Sequence, residues 1–325
     1  MTTTELRPSD NRNPNVSQPV FDLSSVPVHH RDRVADMIPS PGWADQYVHR
    51  FVDGEYDFDI FDGAIEDREN IILTGPTGSS KTTAFRAYAA ARGLPFSLVE
   101  CNAAMDPGTV LGRTATIEGP EGEALIEYVF GDFLLTIQYG GVSLIDEVNM
   151  AHPRVTAAYH QLLAVSRRVA VPEAGTTVLG AYPLLLASAK NDRYQGVVRM
   201  SEALLNRYAI PLDWGYEREV EERLVRSKRL LDMAYNLRSL PEVRSPLSTN
   251  ALQEFERHLG KYNPSFAAGC LVRRFEREER PSIRRALDAN LPRILVELAA
   301  IAEGREAPPD DEGLQTAAPK EEANA

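Results

Sequence analysis

Cysteine is almost missing from this chain: two in 325 residues, Cys101 and Cys270, far apart. That scarcity excludes a disulfide framework, and no zinc-type ligand spacing occurs either. Both cysteines read as small apolar residues packed in a core, in a protein at home in the reducing cytoplasm. Long apolar runs are missing too. None approaches the ~20 residues that cross a bilayer, and the N-terminus lacks a basic-then-apolar leader. Positive charge is in deficit, with 35 Lys and Arg against 47 Asp and Glu and a net charge of −12. A broad electrostatic grip on nucleic acid is therefore disfavoured, the more so without aromatic residues interleaved among basic ones. One basic concentration exists, Arg273, Arg274, Arg277, Arg280, Arg284 and Arg285. Glu276, Glu278 and Glu279 interrupt it, so it reads mostly as a solvated, salt-bridged helix face.

Apolar residues make up 43% of the chain, enough to fill one large core or two small ones. Residues 1–30 are polar and rich in Thr, Ser, Asn and Pro, and residues 304–325 are rich in Glu, Pro and Ala. Both ends read as disordered or loosely attached. Between them, short apolar runs at 71–74, 95–101, 141–146, 184–188 and 209–212 alternate with helical patterns such as 81–92. Continuous apolar strands separated by helices predict an α/β fold, a five-stranded parallel sheet covered on both faces, over 31–215. From 216 to 303 the strands stop. Apolar spacing there predicts helices over 217–238, 250–259 and 282–302, the last broken near Pro292, as a small all-α domain.

The first strand runs into Gly75, Pro76, Thr77, Gly78, Ser79, Ser80, Lys81, Thr82 and Thr83. Such a loop cradles a nucleotide's phosphates. The glycines let backbone N–H groups turn inward, Lys81 reaches the terminal phosphates, and the Thr82 hydroxyl can ligate Mg2+. Ser80 stands where the usual pattern has glycine. A later strand closes on Asp146 and Glu147, fit respectively to hold the metal and to deprotonate an attacking water. A fourth strand ends at Lys190, Asn191 and Asp192, and in a parallel sheet such ends share one crevice. Lys190 or Asn191 could touch the terminal phosphate or its water there. Arg207, just before the fifth strand, either pairs locally or projects into a neighbouring subunit's nucleotide. No step of this chemistry needs histidine, so the six histidines, His29, His30 and His160 among them, read as incidental.

Taken in order, Gly75 to Thr82, Leu-Ile-Asp146-Glu147-Val-Asn149, Ala-Ser-Ala-Lys-Asn191 and Ala-Leu-Leu-Asn-Arg207-Tyr resemble the AAA+ ATPases. Within them the likeness is to the branch of MoxR and the cobaltochelatase ATPase subunit, related to dynein. It is good over 69–216 and weaker to 304. It implies a P-loop NTPase αβα sandwich followed by a helical lid, with ATP and Mg2+ as ligands. It implies Lys81 and Thr82 as phosphate and metal contacts, Asp146 as the metal-associated acid and Glu147 as the base. The sensor falls at Asn191, or at Lys190 after a one-residue shift. Arg207 matches the finger that completes a neighbour's site, and Pro281-Ser-Ile-Arg284 resembles the second-sensor segment, with Arg285 as its alternative. Residues 113–130 look like that branch's insert hairpin, turning at 119–122. The resemblance also implies a homo-oligomeric, six-membered ring acting on a protein client. A partner carrying a von Willebrand factor A-type (VWA) domain is common in that branch, and the work there includes metal insertion. A nucleic-acid motor and a nucleotide-dependent binding switch are the competing readings. A segment at 38–47, with Trp43, precedes the sheet and is a candidate to pack near the base.

Overall fold

A computed structural model of the chain describes residues 16–102, 105, 107–118, 123–151, 153–191 and 200–306. Residues 1–15, the turn at 119–122, Asp106, Asp192 and residues 307–325, all parts of the expectations above, lie outside them. Two compact units divide the described residues. One runs up to Gly75 and resumes over Ser80–Gly215; the other joins Pro76–Ser79 to the residues from Tyr216 onward.

The first unit opens with a 3-10 turn, Leu23–Ser25, and helix α1, Val28–Asp36. The Asp22 carboxylate caps the turn by accepting from the Ser24 N–H at 2.8 Å. Val26 and Val34 are buried against Leu135. The loosely attached arm read over 1–30 is thus corrected at its C-terminal end, because these apolar residues have a core to enter. Helix α2, Gly42–Asp45, precedes a ribbon of β1, Phe51–Val52, and β2, Glu55–Tyr56. Its turn is Asp53-Gly54, both at positive φ (52° and 93°), the combination that a two-residue hairpin demands. Helix α3, Asp57–Glu66, then leads to strand β3, Asn70–Thr74.

Helix α4, Lys81–Arg92, ends on Gly93 in the left-handed conformation. Strand β4, Phe96–Glu100, and helix α5, Pro107–Leu111, follow. Strands β5, Gly112–Glu118, and β6, Ala124–Phe130, pair antiparallel from Gly112 against Phe130 to Glu118 against Ala124. Helix α6, Asp132–Tyr139, strand β7, Gly141–Asp146, and helix α7, Pro153–Leu162, come next. Strands β8, Arg168–Val171, and β9, Thr176–Leu179, form a second ribbon. Strand β10, Leu184–Lys190, helix α8, Glu202–Leu205, and strand β11, Ile210–Asp213, complete the unit.

Five strands form one parallel sheet in the order β11-β3-β10-β7-β4. Because side chains alternate along a strand, each strand feeds both faces. Ile72, Ile145 and Leu186 join the core with α6 and α7 residues. Ile71, Leu73, Leu144, Leu185 and Ala187 join the core with α3 and α4 residues. The expected five-stranded parallel sheet is therefore present, with strand bounds shifted by a residue or two. The ribbons β1–β2 and β8–β9 are too short to leave a periodic signature.

The Phe96 N–H, at the start of β4, donates to the Met37 carbonyl at 2.9 Å. Trp43 stacks on the Arg86 guanidinium, 4.8 Å away, beside a cavity of about 440 Å³ that Phe96 also lines.

The second unit is helical: α9, Arg218–Leu224; α10, Lys228–Arg238; α11, Thr249–Leu259; α12, Pro264–Val272; and α13, Arg280–Ala302. The single helix expected over 217–238 is two. Glu256 draws off the backbone between them, accepting from the N–H groups of Arg226 (3.2 Å) and Ser227 (2.7 Å). Ser227 then caps α10. The break expected at Pro292 is absent, and α13 is continuous through it. The ring removes one N–H, and the neighbouring turns hold the rest. The basic cluster is not one helix face, since Arg273–Glu279 fall between α12 and α13. Glu279 turns inward there to accept from the Ser245 N–H at 2.9 Å. Cys270 is half-buried rather than fully packed.

Buried carboxylates stitch the helices together. Glu297 accepts from the N–H groups of Lys228 (3.1 Å) and Arg229 (3.2 Å), a negative charge at the positive end of α10. Glu221 receives both Arg238 nitrogens, at 2.7 and 2.8 Å, and the Thr249 hydroxyl at 2.6 Å. Burial alone would raise the Glu221 carboxyl; the Arg238 and Thr249 donors outweigh it and hold the group below its ordinary 4.5. The stability this pair contributes is present above that ordinary value and lost as pH falls through the depressed one. Glu221→Gln should cost ~3 kcal/mol at pH 7, since it strands a buried Arg238. The gap to the parent should close on acidification below 4.5, as measured by urea unfolding; a neutral substitution at pH 7 would contradict this.

Candidate active site

Parallel strands bring their C-terminal ends to one edge of the sheet. Thr74 of β3 lies opposite Lys190 of β10, and Ile145 of β7 lies opposite Ser188. At that edge the Gly75 N–H donates to the Lys190 carbonyl at 3.1 Å, which fixes where the loop leaves the sheet. Pro76–Ser79 belong to the helical unit, where Gly78 has φ 74° and the Tyr216 hydroxyl donates to the Thr77 carbonyl at 2.7 Å. Ser79 turns back on the loop, its hydroxyl donating to the Pro76 carbonyl at 2.9 Å.

Helix α4 starts at Lys81, which is only 6% exposed. Its ammonium donates to the Gly75 carbonyl at 2.8 Å, so it lies back over the loop's entry. Thr82 and Thr83 are half-buried in the same first turn, where the helix dipole and the N–H groups of a helix start favour an anion. The Thr82 hydroxyl donates to Asp146 Oδ2 at 2.5 Å. The other oxygen, Oδ1, accepts from the Glu147 N–H at 3.0 Å. Two hard oxygens side by side, one from each element, suit Mg2+, which takes few protein ligands and completes its shell with phosphate and water.

Glu147 has φ 51°, the left-handed region, so its side chain leaves the strand in a direction of its own. Burial, then the neighbouring Asp146 charge, pushes its carboxyl above the ordinary value; Lys81 and the Asn191 backbone N–H oppose them. Lys81, Thr82, Asp146, Glu147 and the Asn191 backbone therefore meet at one place. Asn191 is 1% exposed and Lys190 half-buried. Asn191 presents its N–H to Glu147, while Lys190 holds the loop through its carbonyl.

Two neighbours were given no part in the site by the sequence reading. Asn149, in the turn after the acids, is 7% exposed, and neither its Nδ2 nor its Oδ1 has a partner among the described residues. A buried amide with two uncommitted atoms is equipped to hold a polar ligand. Its place inside the motif was the only sequence signal. Cys101 is buried as expected, and burial beside Asp146 and Glu147 pushes its thiol up to about 12. It stays protonated.

Arg207 lies elsewhere in the same unit. Its carbonyl accepts from the Asn70 side-chain amide at 2.8 Å. Asn70 opens β3, whereas the loop leaves the strand's other end. Four residue steps at ~3.3 Å put about 13 Å between those ends. The guanidinium donates to the His160 carbonyl, not to a carboxylate. With His160 and Arg168 it lines a cavity of about 350 Å³. The local ion pair entertained for Arg207 is therefore absent among the described residues. Arg284, on α13 of the helical unit, pairs with Asp288 one turn on at 3.0 Å, and Arg285 bonds the Ser282 hydroxyl at 3.4 Å.

Ser80 has φ 69°. This explains the glycine usual at its position, because a side chain in the left-handed region costs ~1 kcal/mol. Ser80→Gly should shift stability by less than ~1 kcal/mol, relief of strain being offset by a freer unfolded chain. Ser80→Val, whose branched side chain fits that region worst, should lose ~2 kcal/mol in urea unfolding. A neutral valine would contradict the strained geometry.

Residues 70–208 match the family described as AAA domain (dynein-related subfamily). Uncharacterized proteins of Staphylococcus haemolyticus and Staphylococcus epidermidis are each 31% identical over 142 residues, 44% of this chain. One of Staphylococcus aureus is 30% identical over the same length. The matched region spans only 54% of each of these relatives. A solved structure from Cytophaga hutchinsonii covers 86% of this chain and 81% of its own, at 16% identity and a TM-score of 0.41. Residues 70–208 are thus similar to the AAA domains of the dynein-related subfamily, and they contain the loop and the acids that the parallel sheet carries.

Proposed function

We propose that this protein is an ATP-hydrolysing motor whose active site is completed by a second copy of the chain. The observation that carries the proposal is the placing of Arg207 at the opposite end of β3 from the phosphate loop. An arginine so placed is out of reach of its own chain's nucleotide, and a neighbour in a ring could receive it. The MoxR-like resemblance supports a six-membered ring.

In this reading Lys81 and the N–H groups at the start of α4 hold the phosphates. Thr82 and Asp146 would hold Mg2+, which supplies charge neutralisation to the phosphate oxygens. Glu147 takes the proton from the attacking water, and its upward-pushed carboxyl makes it a better acceptor near neutral pH than an ordinary glutamate. Asn191 orients Glu147 and the terminal phosphate. A neighbour's Arg207 stabilises the charge that develops there.

The work falls on a protein client. The net charge of −12 supports this over a nucleic-acid track. So does the hairpin β5–β6, which carries Ile126 77% exposed, an apolar contact available to a polypeptide. A VWA-domain partner and a metal-insertion task are the narrower forms of the same proposal. No helix among the described residues is long and apolar enough to cross a membrane.

Glu147→Gln should retain ATP while turnover falls at least ~100-fold. Turnover in the parent should begin to decline on acidification at a pH above the ordinary 4.5 of a glutamate. Nucleotide retention and phosphate release measured on one preparation check both, and unchanged turnover would remove Glu147 from its role. A pure binding switch would show no turnover in the parent either.

A further inference from the structure

Arg167 is a buried cation without a carboxylate partner among the described residues. It is 4% exposed and has φ 41°. Its guanidinium donates to three oxygens: the Leu184 carbonyl at 2.7 Å, the Glu69 carbonyl at 3.1 Å and the Asn70 side-chain oxygen at 3.3 Å. Burial first, and the nearby Arg68 charge second, pull its pKa down to about 10. The guanidinium remains charged at neutral pH all the same. Burying a charge among carbonyls alone is costly, so the arrangement calls for a use.

Asn70 passes the arrangement on. With its oxygen taken by Arg167, its Nδ2 must face the other way. It donates to the Leu163 carbonyl at 3.0 Å and to the Arg207 carbonyl at 2.8 Å. Arg167 thus settles the orientation of the Asn70 amide, and the amide ties Arg207 to the end of α7. Tyr208 is tied separately, its hydroxyl 2.7 Å from Ser188 Oγ. The backbone that carries Arg207 is therefore fixed on both sides by buried polar contacts. Its guanidinium lines the cavity beside His160 and Arg168.

We infer that Asn70 and Arg167 are positioning residues for Arg207, a buried clamp that sets the arm each subunit offers to the next. The clamp rests on the proposed sharing of the active site. A residue that acts through another can be tested by what it leaves intact. A subunit with a broken clamp keeps its own loop, Lys81, Asp146 and Glu147, and lacks only a well-aimed arm.

Asn70→Asp is the informative substitution. It keeps size and strengthens the contact to Arg167, but an ionised carboxylate cannot donate to either carbonyl. Alone, N70D should bind ATP as the parent does and turn it over at least ~10-fold more slowly, since about 1 Å of misplacement costs up to ~100-fold. Mixed with Lys81→Ala chains, which have a sound arm and no working loop, it should recover turnover above the sum of the separate preparations. A merely unstable variant would not be rescued in this way. Arg207→Ala mixed with Lys81→Ala is the reference. Should R207A be rescued while N70D is not, or should N70D turn over normally, the clamp is overturned and the shared site stands. Should neither be rescued, the shared site itself fails and takes the clamp with it. If N70D does not fold, Arg167→Lys replaces it in the same mixtures. Its point charge cannot span three acceptors, and the same outcomes decide.

Discussion

The short contact between the Thr82 hydroxyl and the Asp146 carboxylate joins the two halves of the candidate site. It exists because β3 and β7 flank β10 in one parallel sheet and end at the same edge. A parallel sheet requires crossovers, and the crossovers supply the helices that bury both faces. Once that frame is in place, the first turn of α4 and the end of β7 have to meet. The pairing of a hydroxyl with a carboxylate is what a hard divalent cation can enter. Glu147, next in sequence, is turned aside by its left-handed backbone, so the adjacent acids leave the strand in different directions. Burial and then the crowding of Asp146 push the Glu147 carboxyl upward, which in the proposed function would make it a better proton acceptor.

The same sheet keeps Arg207 away from that site. Asn70 and Thr74 are the two ends of one short strand; one end holds the Arg207 backbone and the other leads into the loop. A rigid strand between loop and arm suits a machine in which each subunit completes the next. Loss of the terminal phosphate would remove the arm's partner, and a change in one subunit would be felt by its neighbour. The helical unit is internally tied by Glu221, Glu256, Glu279 and Glu297, so it can respond as one body.

Much of this was legible in the residue order because the relevant signals are local. Continuous apolar strands, the Gly75–Thr83 loop and the acids after Ile145 each declare themselves within a few residues. The five strands and α4 accordingly fall where periodicity put them. What escaped depends on distant partners. The division between α9 and α10 is made by Glu256, about thirty residues on, through a hydrogen bond with no sequence signature. Pro292 was read by its local rule, and the surrounding turns overrode it. Val26 and Val34 looked like isolated apolar residues in a polar arm until α6 supplied Leu135. Asn70 and Arg167 resemble any polar residues at the edge of a strand and a turn; only the fold brings them beneath Arg207.

If two chains build each active site, activity belongs to the assembly and not to the chain. The most direct measurement is ATP turnover per chain as a function of chain concentration, at saturating ATP and Mg2+. The account predicts that turnover per chain collapses on dilution and rises steeply over the concentration range in which sedimentation shows assembly. A turnover per chain that stays constant down to concentrations where only single chains sediment would contradict it.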